Sequence, residues 1–280
     1  MARRFVASHL TKTIHRRLVL NDVTFEVDAG RTIGLVGRIG AGKTTLLSII
    51  AGLRHANSGT FGWSDGPLEL GTFALVDQSS ALPRRLTLHR VGELAECYHP
   101  GFDRDIYLQV LSELDLGPST RIDKLSEGQR KVTSISLALA RRPELLLLDE
   151  PLASLDPVSR RAIMGQVLAF SSNLGTTVLI ASHLVTDIER DCDWLIALDG
   201  GNLLLNQEID SLLEQHLWVD TLAIDARDVH VVLDSGARQL VRIESASDQV
   251  HGDVPGLEEI VVAYLGSGMQ SRAATQEVNS

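Results

Sequence analysis

The chain has 280 residues, 44% of them hydrophobic, and carries 26 Lys and Arg against 36 Asp and Glu for a formal net charge of −10. That length and apolar content predict one large domain with lobes, or a domain with a small appendage, near the size at which a single core stops growing. The acidic balance, with a pI near 5.3, argues against a general nucleic-acid-binding surface, and no nucleic-acid partner is expected.

Two cysteines, Cys97 and Cys192, match no metal or disulfide spacing and point to a reduced setting. The N-terminal MARRFVASHLTKTIHRR is basic but has no continuous apolar stretch, so no secretory signal is expected. No run of 18 or more predominantly apolar residues occurs, so no segment is expected to span a membrane.

In chain order, residues 18–36 (LVLNDVTFEVDAGRTIGLV) read as two alternating runs about a DAG turn, a hairpin feeding the buried strand IGLV. After the glycine-rich GRIGAG, KTTLLSIIAGL (43–53) has helical spacing, and FALVD (73–77) is a short strand. From about 85 to 142 the pattern is helical and stops before Pro143. ELLLLDE has no alternation, as expected of a central parallel strand covered on both faces. PVSRRAIMGQVLAFSSNL is an amphipathic helix opened by Pro157, TTVLIAS a strand, and DWLIALDGGNLLLN a hairpin across DGG. The expected fold is thus a parallel α/β core with a helical insert. Residues 217–265 form a small C-terminal appendage without a chemical signature, and 266–280 a flexible tail.

GRIGAGKT (37–44) fits G-x-x-x-x-G-K-[ST] between a strand and a helix, the context in which that pattern cradles phosphates. Gly37, Gly40 and Gly42 let the backbone curl so that the N–H groups of Arg38, Ile39, Ala41 and their neighbours, through Thr45, point at a phosphate beside the helix N-terminus. Lys43 supplies charge to the β- and γ-phosphates, and the Thr44 hydroxyl is placed to ligate Mg²⁺. Asp149, ending LLLLD, stands where a carboxylate serves the same ion, and Glu150 next to it could polarise a water for in-line attack. ATP and Mg²⁺ are the expected ligands.

These parts define a P-loop NTPase. The ordered set GRIGAGKT, LVDQ (75–78), LSEGQ (125–129), LLLLDEP (145–151), SLD (154–156) and ASH (181–183) narrows it. Together they resemble the nucleotide-binding subunit of an ABC transporter, over roughly residues 5–215. The resemblance implies an ABC ATPase fold at 1–216, with an N-terminal antiparallel β subdomain and a helical signature subdomain at about 85–142. It also implies that Gln78 sits in a lid loop near Mg²⁺ and the attacking water, and that His183 is the switch toward the γ-phosphate.

Such subunits act as head-to-tail dimers. Ser126, Gly128 and Gln129 would then meet the nucleotide held by the opposite P-loop, with Asp156 in the loop that crosses between subunits. A separately encoded integral-membrane subunit, a location on the cytoplasmic face of the cell membrane, and a homodimer or a heterodimer with a second ATPase follow from the same likeness. The short segment between Lys43 and Gln78, YHPGFD (98–103) and PGLEEIVVAYL resemble single-cassette ATPases of bacterial ABC-2-type exporters. An importer ATPase, or a soluble ABC ATPase acting on ribosomes or DNA, is the alternative. Singly, each residue has a plainer role: Gln78 as a strand-end polar group, Asp156 as an N-cap, His183 as a loop histidine.

Two positions depart from the family pattern. Where an aromatic residue usually stacks on adenine, this chain offers Ile14 or His15. Glu127 stands where glycine is usual, and is expected to be helical and turned away from the nucleotide, with Ser126 and Gln129 forming a capping box.

Overall fold

The computed structural model describes residues 2–79, 81–153, 155–220, 229–236, 238–243 and 251–266. Strands β1 (Arg4–Ile14) and β2 (Arg17–Asp28) pair antiparallel through a tight turn in which His15 and Arg16 both have positive φ. The hairpin expected across Asp28–Gly30 is therefore replaced by one across His15–Arg16, because β3 (Thr32–Gly37) leaves for a different sheet. All six residues of β3 are buried, whereas β2 alternates buried and exposed positions. A strand apolar on both faces has to be covered on both faces, and a two-stranded ribbon cannot do that.

Helix α1 (Lys43–Ile50) follows β3, and β4 (Ser58–Trp63) returns to pair with the other side of β1. Next come β5 (Phe73–Val76), helices α2 (Leu88–Tyr98), α3 (Arg104–Ser112) and α4 (Glu127–Ala140), then β6 (Leu145–Asp149). Thr87, Asp103 and Ser126 each cap the first turn of a helix in this lobe through a side-chain oxygen. Helix α5 (Pro157–Leu174) starts from the Asp156 cap and ends at Gly175 in the left-handed conformation. Strand β7 (Thr177–Ser182), the short α6 (Thr186–Glu189), and the hairpin of β8 (Trp194–Asp199) and β9 (Asn202–Glu208) complete the central sheet.

That sheet has the order β5-β6-β7-β3-β8-β9, parallel except for β9. Its two faces bury alternate residues of the same strands. Ile33, Leu35, Leu145, Leu147, Leu179 and Ile196 pack with α1 and the N-terminal sheet. Val36, Leu146, Leu148, Val178, Ile180 and Leu195 pack with the helical lobe, α5 and α6. The C-terminal strand ends thus emerge on one edge, where P-loop, Asp149 and His183 follow β3, β6 and β7.

Beyond α7 (Ile209–Glu214), strands β10 (His216–Asp220), β11 (Val229–Asp234) and β12 (Arg238–Ile243) form a separate antiparallel sheet with β12 at its centre. Residues 257–266 form helix α8. Leu240, Leu257, Ile260 and Val261 belong to the same apolar cluster as the helical lobe, and the Leu257 amide donates to Glu189 Oε1 at 3.2 Å. Of the tail expected at 266–280, residues 267–280 lie outside the described residues. Among the described residues no helix is long and apolar enough to cross a membrane.

The close packing of α6 on β3 holds the segment after His183. A Cβ on Gly34 would lie 2.0 Å from Ile188 Cγ2. Gly34→Ala is expected to lower unfolding stability by about 1–3 kcal/mol through overpacking, and Ile188→Ala in the same background to recover part of it. Urea denaturation of the three proteins checks this; an undisturbed Gly34→Ala midpoint would contradict the packing.

Candidate functional site

The loop between β3 and α1 is pinned from several directions. The Ala41 amide donates to Arg38 O at 3.0 Å, and the Gly201 amide, from the β8–β9 turn, donates to Ala41 O at 3.0 Å. Gly42 has φ of 110°, and a Cβ there would lie 2.8 Å from Val19 O, so the β2 backbone passes too close for any side chain. Gly37 is similarly pressed against Leu198 O. Arg38, Ile39 and Gly40 are exposed at the rim, and Ala41, Gly42 and Lys43 are buried. Thr44 is exposed and Thr45 half-buried on the first turn of α1.

Lys43 is only 7% exposed, and its Nζ donates to Gly37 O at 2.6 Å. Burial lowers its proton affinity, while Glu150 and Asp149 nearby favour the ammonium. Asp149 is 3% exposed, and burial raises its carboxyl above the usual range, against a hydrogen bond from the Thr44 hydroxyl. One of its oxygens, Oδ1, is buried without a hydrogen-bond partner. An orphaned carboxylate oxygen beside a hydroxyl is a hard-oxygen donor set, which fits Mg²⁺.

A cavity of about 430 Å³ joins Thr44, Gln78 and Asp149, with Leu47, Ser48, Leu75 and Asp77 among its other walls. The three residues expected around the metal therefore share one space. Glu150 has φ of 49°, a left-handed conformation costing about 1–3 kcal/mol for a residue with a Cβ, and its amide donates to Ala181 O at 3.0 Å. That kink directs its carboxylate to His183, whose Nδ1 lies 2.9 Å from Oε2. With the carboxylate ionised, the imidazole N–H donates.

Other expected residues lie apart from this cavity. Ser126 and Gln129 form the expected capping box: the Gln129 amide donates to Ser126 Oγ at 3.1 Å and the Ser126 amide to Gln129 Oε1 at 2.9 Å. Glu127 is helical and exposed, and Gly128 occupies the same first turn of α4. None of the three signature residues lines the cavity. The Asp156 carboxylate caps α5 instead, accepting from the Val158 and Ser159 amides at 3.0 and 3.1 Å and from Ser159 Oγ at 2.6 Å. Ile14, half-buried, and His15, exposed, stand at the tip of the β1–β2 hairpin.

One residue at the site was not anticipated. Lys131, on α4, is 4% exposed, and its Nζ donates to Asp77 O at 2.8 Å and Gln78 O at 3.1 Å. A single lysine in a helix has no local signature; only its place five residues after Ser126, on the apolar side of α4, could have drawn notice.

Comparison with known proteins agrees with this geometry. The sequence profile of the ABC transporter family matches residues 20–153. The chain is 28% identical to the ABC transporter ATP-binding protein YtrB of Bacillus subtilis, over 92% of this chain and 96% of that one. It is 32% identical to a phosphonates import ATP-binding protein of Rhodopseudomonas palustris, over 75% and 86%. A Nod factor export ATP-binding protein of Rhizobium johnstonii is 27% identical, over 82% and 78%. Among solved structures, an ATP-binding subunit of an ABC transporter superposes with a TM-score of 0.67 at 27% identity, over 75% of this chain and 92% of its own. Fold, motif order and relatives agree: the chain belongs to the ABC transporter family, as a single-cassette ATP-binding protein and ATP hydrolase.

Proposed function

We propose that this protein is the ATPase subunit that drives a separately encoded integral-membrane transporter subunit, and that it does so by closing head-to-tail on a second ATPase subunit with ATP between them. The observation that carries the chemistry is the Glu150–His183 pair at 2.9 Å, with Glu150 next in the chain to Asp149, which shares a cavity with Thr44 and Gln78. We take residues 1–216 as the cassette and 217–265 as an appendage sharing its apolar cluster.

In this reading the backbone of residues 37–45 encloses the phosphates, and Lys43 exchanges the Gly37 carbonyl for phosphate oxygens. Thr44, Asp149 and Gln78 would hold Mg²⁺, which when bound neutralises phosphate charge. Glu150 accepts a proton from the attacking water as the bond to the γ-phosphate breaks, leaving ADP and phosphate. His183 holds that carboxylate before substrate arrives, then turns an N–H toward the γ-phosphate. Ser126, Gly128 and Gln129 serve the partner subunit's nucleotide, which is consistent with none of them lining this chain's own cavity. The Asp156 cap fixes the start of α5, so that the loop before it can cross to the partner.

A second cleft, of about 570 Å³, lies between β5 and helices α2 and α4, with Leu82, Val91, Leu94, Tyr98 and Leu137 along it. Its apolar lining beside the lid loop suits a helix of the membrane subunit. This docking would put the protein on the cytoplasmic face of the membrane. Export is the direction we favour. The Nod factor export relatives of Rhizobium johnstonii and Mesorhizobium japonicum match 82% and 92% of this chain, against 75% and 71% for the phosphonate and sulfonate import proteins.

Glu150→Gln is expected to lower ATP turnover by about 10²–10⁴-fold, the usual contribution of a general base, while ATP binding by calorimetry is retained. Vigorous hydrolysis by that variant would contradict the role given to Glu150. Ile14→Tyr is expected to tighten ATP by about ten- to a hundredfold, from a stacking gain of roughly 1–3 kcal/mol; an unchanged dissociation constant would place adenine elsewhere. Purified in mild detergent with ATP, the Glu150→Gln protein should bring down the membrane protein encoded beside it. Recovery of ribosomes in its place would favour the soluble alternative.

A further inference from the structure

Lys131 is a buried cation that the chemistry above does not use. Burial of a lysine side chain is costly unless its donors are taken, and here two are taken by main-chain carbonyls of another element, Asp77 O and Gln78 O. Residues 77–79 follow β5 without helix or strand structure of their own. The lysine sits in the second turn of α4, whose first turn carries Ser126, Glu127, Gly128 and Gln129. Helix geometry separates Ser126 and Lys131 by about 7.5 Å along the axis, so the two move together. Asp77, Asp149, Glu127 and Glu150 all act to keep Lys131 charged against its burial.

We propose that Lys131 is a positioning residue: by holding the Asp77 and Gln78 carbonyls it sets Gln78 in the metal cavity and ties the lid loop to the signature turn of the same subunit. Displacement of the first turns of α4, as when a partner's nucleotide meets Ser126, then moves Gln78 with it. Each subunit's hydrolytic geometry thereby registers whether its signature turn is engaged. The coupling rests on the role proposed above for Gln78; the tether itself does not.

The test compares Lys131→Met, which keeps an unbranched stem and removes the donors, with Lys131→Arg, which keeps charge and donors. In the nucleotide-free full chain, hydrogen exchange across residues 75–79 should rise roughly tenfold in Lys131→Met and stay near the wild-type rate in Lys131→Arg. Unchanged exchange in Lys131→Met would overturn the tether. Turnover in Lys131→Met should fall about ten- to a hundredfold with ATP affinity held, and Lys131→Arg should restore most of it.

In a Gln78→Ala background, Lys131→Met should cost little more. A full additional loss there would show that Lys131 does not act through Gln78, and would overturn the coupling. Wild-type turnover by Gln78→Ala alone would instead sink the role given to Gln78, leaving the exchange result to decide the tether. Should Lys131→Met fail to fold, Lys131→Gln, which keeps two N–H donors on a shorter, uncharged side chain, takes its place, with partial loss expected in both readouts and full wild-type behaviour contradicting the proposal.

Discussion

Two buried ammonium groups constrain the centre of this molecule. Lys43 and Lys131 are each less than a tenth exposed, and both interact with the Asp149 and Glu150 carboxylates. Charges out of water are tolerated only when paired with opposite charge and supplied with hydrogen bonds. Here the lysines rest on carbonyls of Gly37, Arg38, Asp77 and Gln78 while the carboxylates balance them. Asp149 keeps an unpartnered oxygen. The arrangement is charge-compensated yet leaves hydrogen-bonding capacity open, which suits the metal-bound polyphosphate proposed for it.

The sheet makes that arrangement possible. Strands buried on both faces need helices and a second sheet to cover them, and their parallel order brings the P-loop, Asp149 and His183 to one edge. That edge carries backbone strain of its own, in the left-handed Glu150 held by the Ala181 carbonyl. The cost of that kink is absorbed by a surrounding sheet in which β6 and β7 are buried at every position. Its effect is to bring a carboxylate and an imidazole into contact directly after Asp149.

Much of this was legible in the sequence because it is written locally. The P-loop, the uninterrupted LLLLD strand, the DGG hairpin and the Ser126–Gln129 capping box depend on residues adjacent in the chain. What was misread or missed depends on partners distant in the chain. The run after Asp28–Gly30 looks like a hairpin partner, but β3 pairs with β7 and β8, more than 140 residues away. Strand β1 escaped notice because register shifts between Ala7 and Thr13 disrupt its alternation. Lys131 could not be recognised from α4 alone, since its partners are carbonyls some 53 residues earlier. Conversely, Asp156 is locally a helix cap, and its capping is compatible with a role across an interface but does not supply one.

The division of the site is the central physical point. One chain provides the phosphate loop, the carboxylates and His183, while its signature turn opens a helix that does not line the same cavity. In the proposed head-to-tail dimer a second subunit brings its own signature turn to this cavity, with nucleotide between the two. Sedimentation equilibrium of the Glu150→Gln protein, with and without ATP, tests this most directly. A monomer that becomes a dimer on adding ATP, and stays monomeric when Ser126→Arg is also present, is the expected result. A hydrolysis-deficient protein that stays monomeric with saturating ATP, or dimerises equally well with Ser126→Arg, would contradict it.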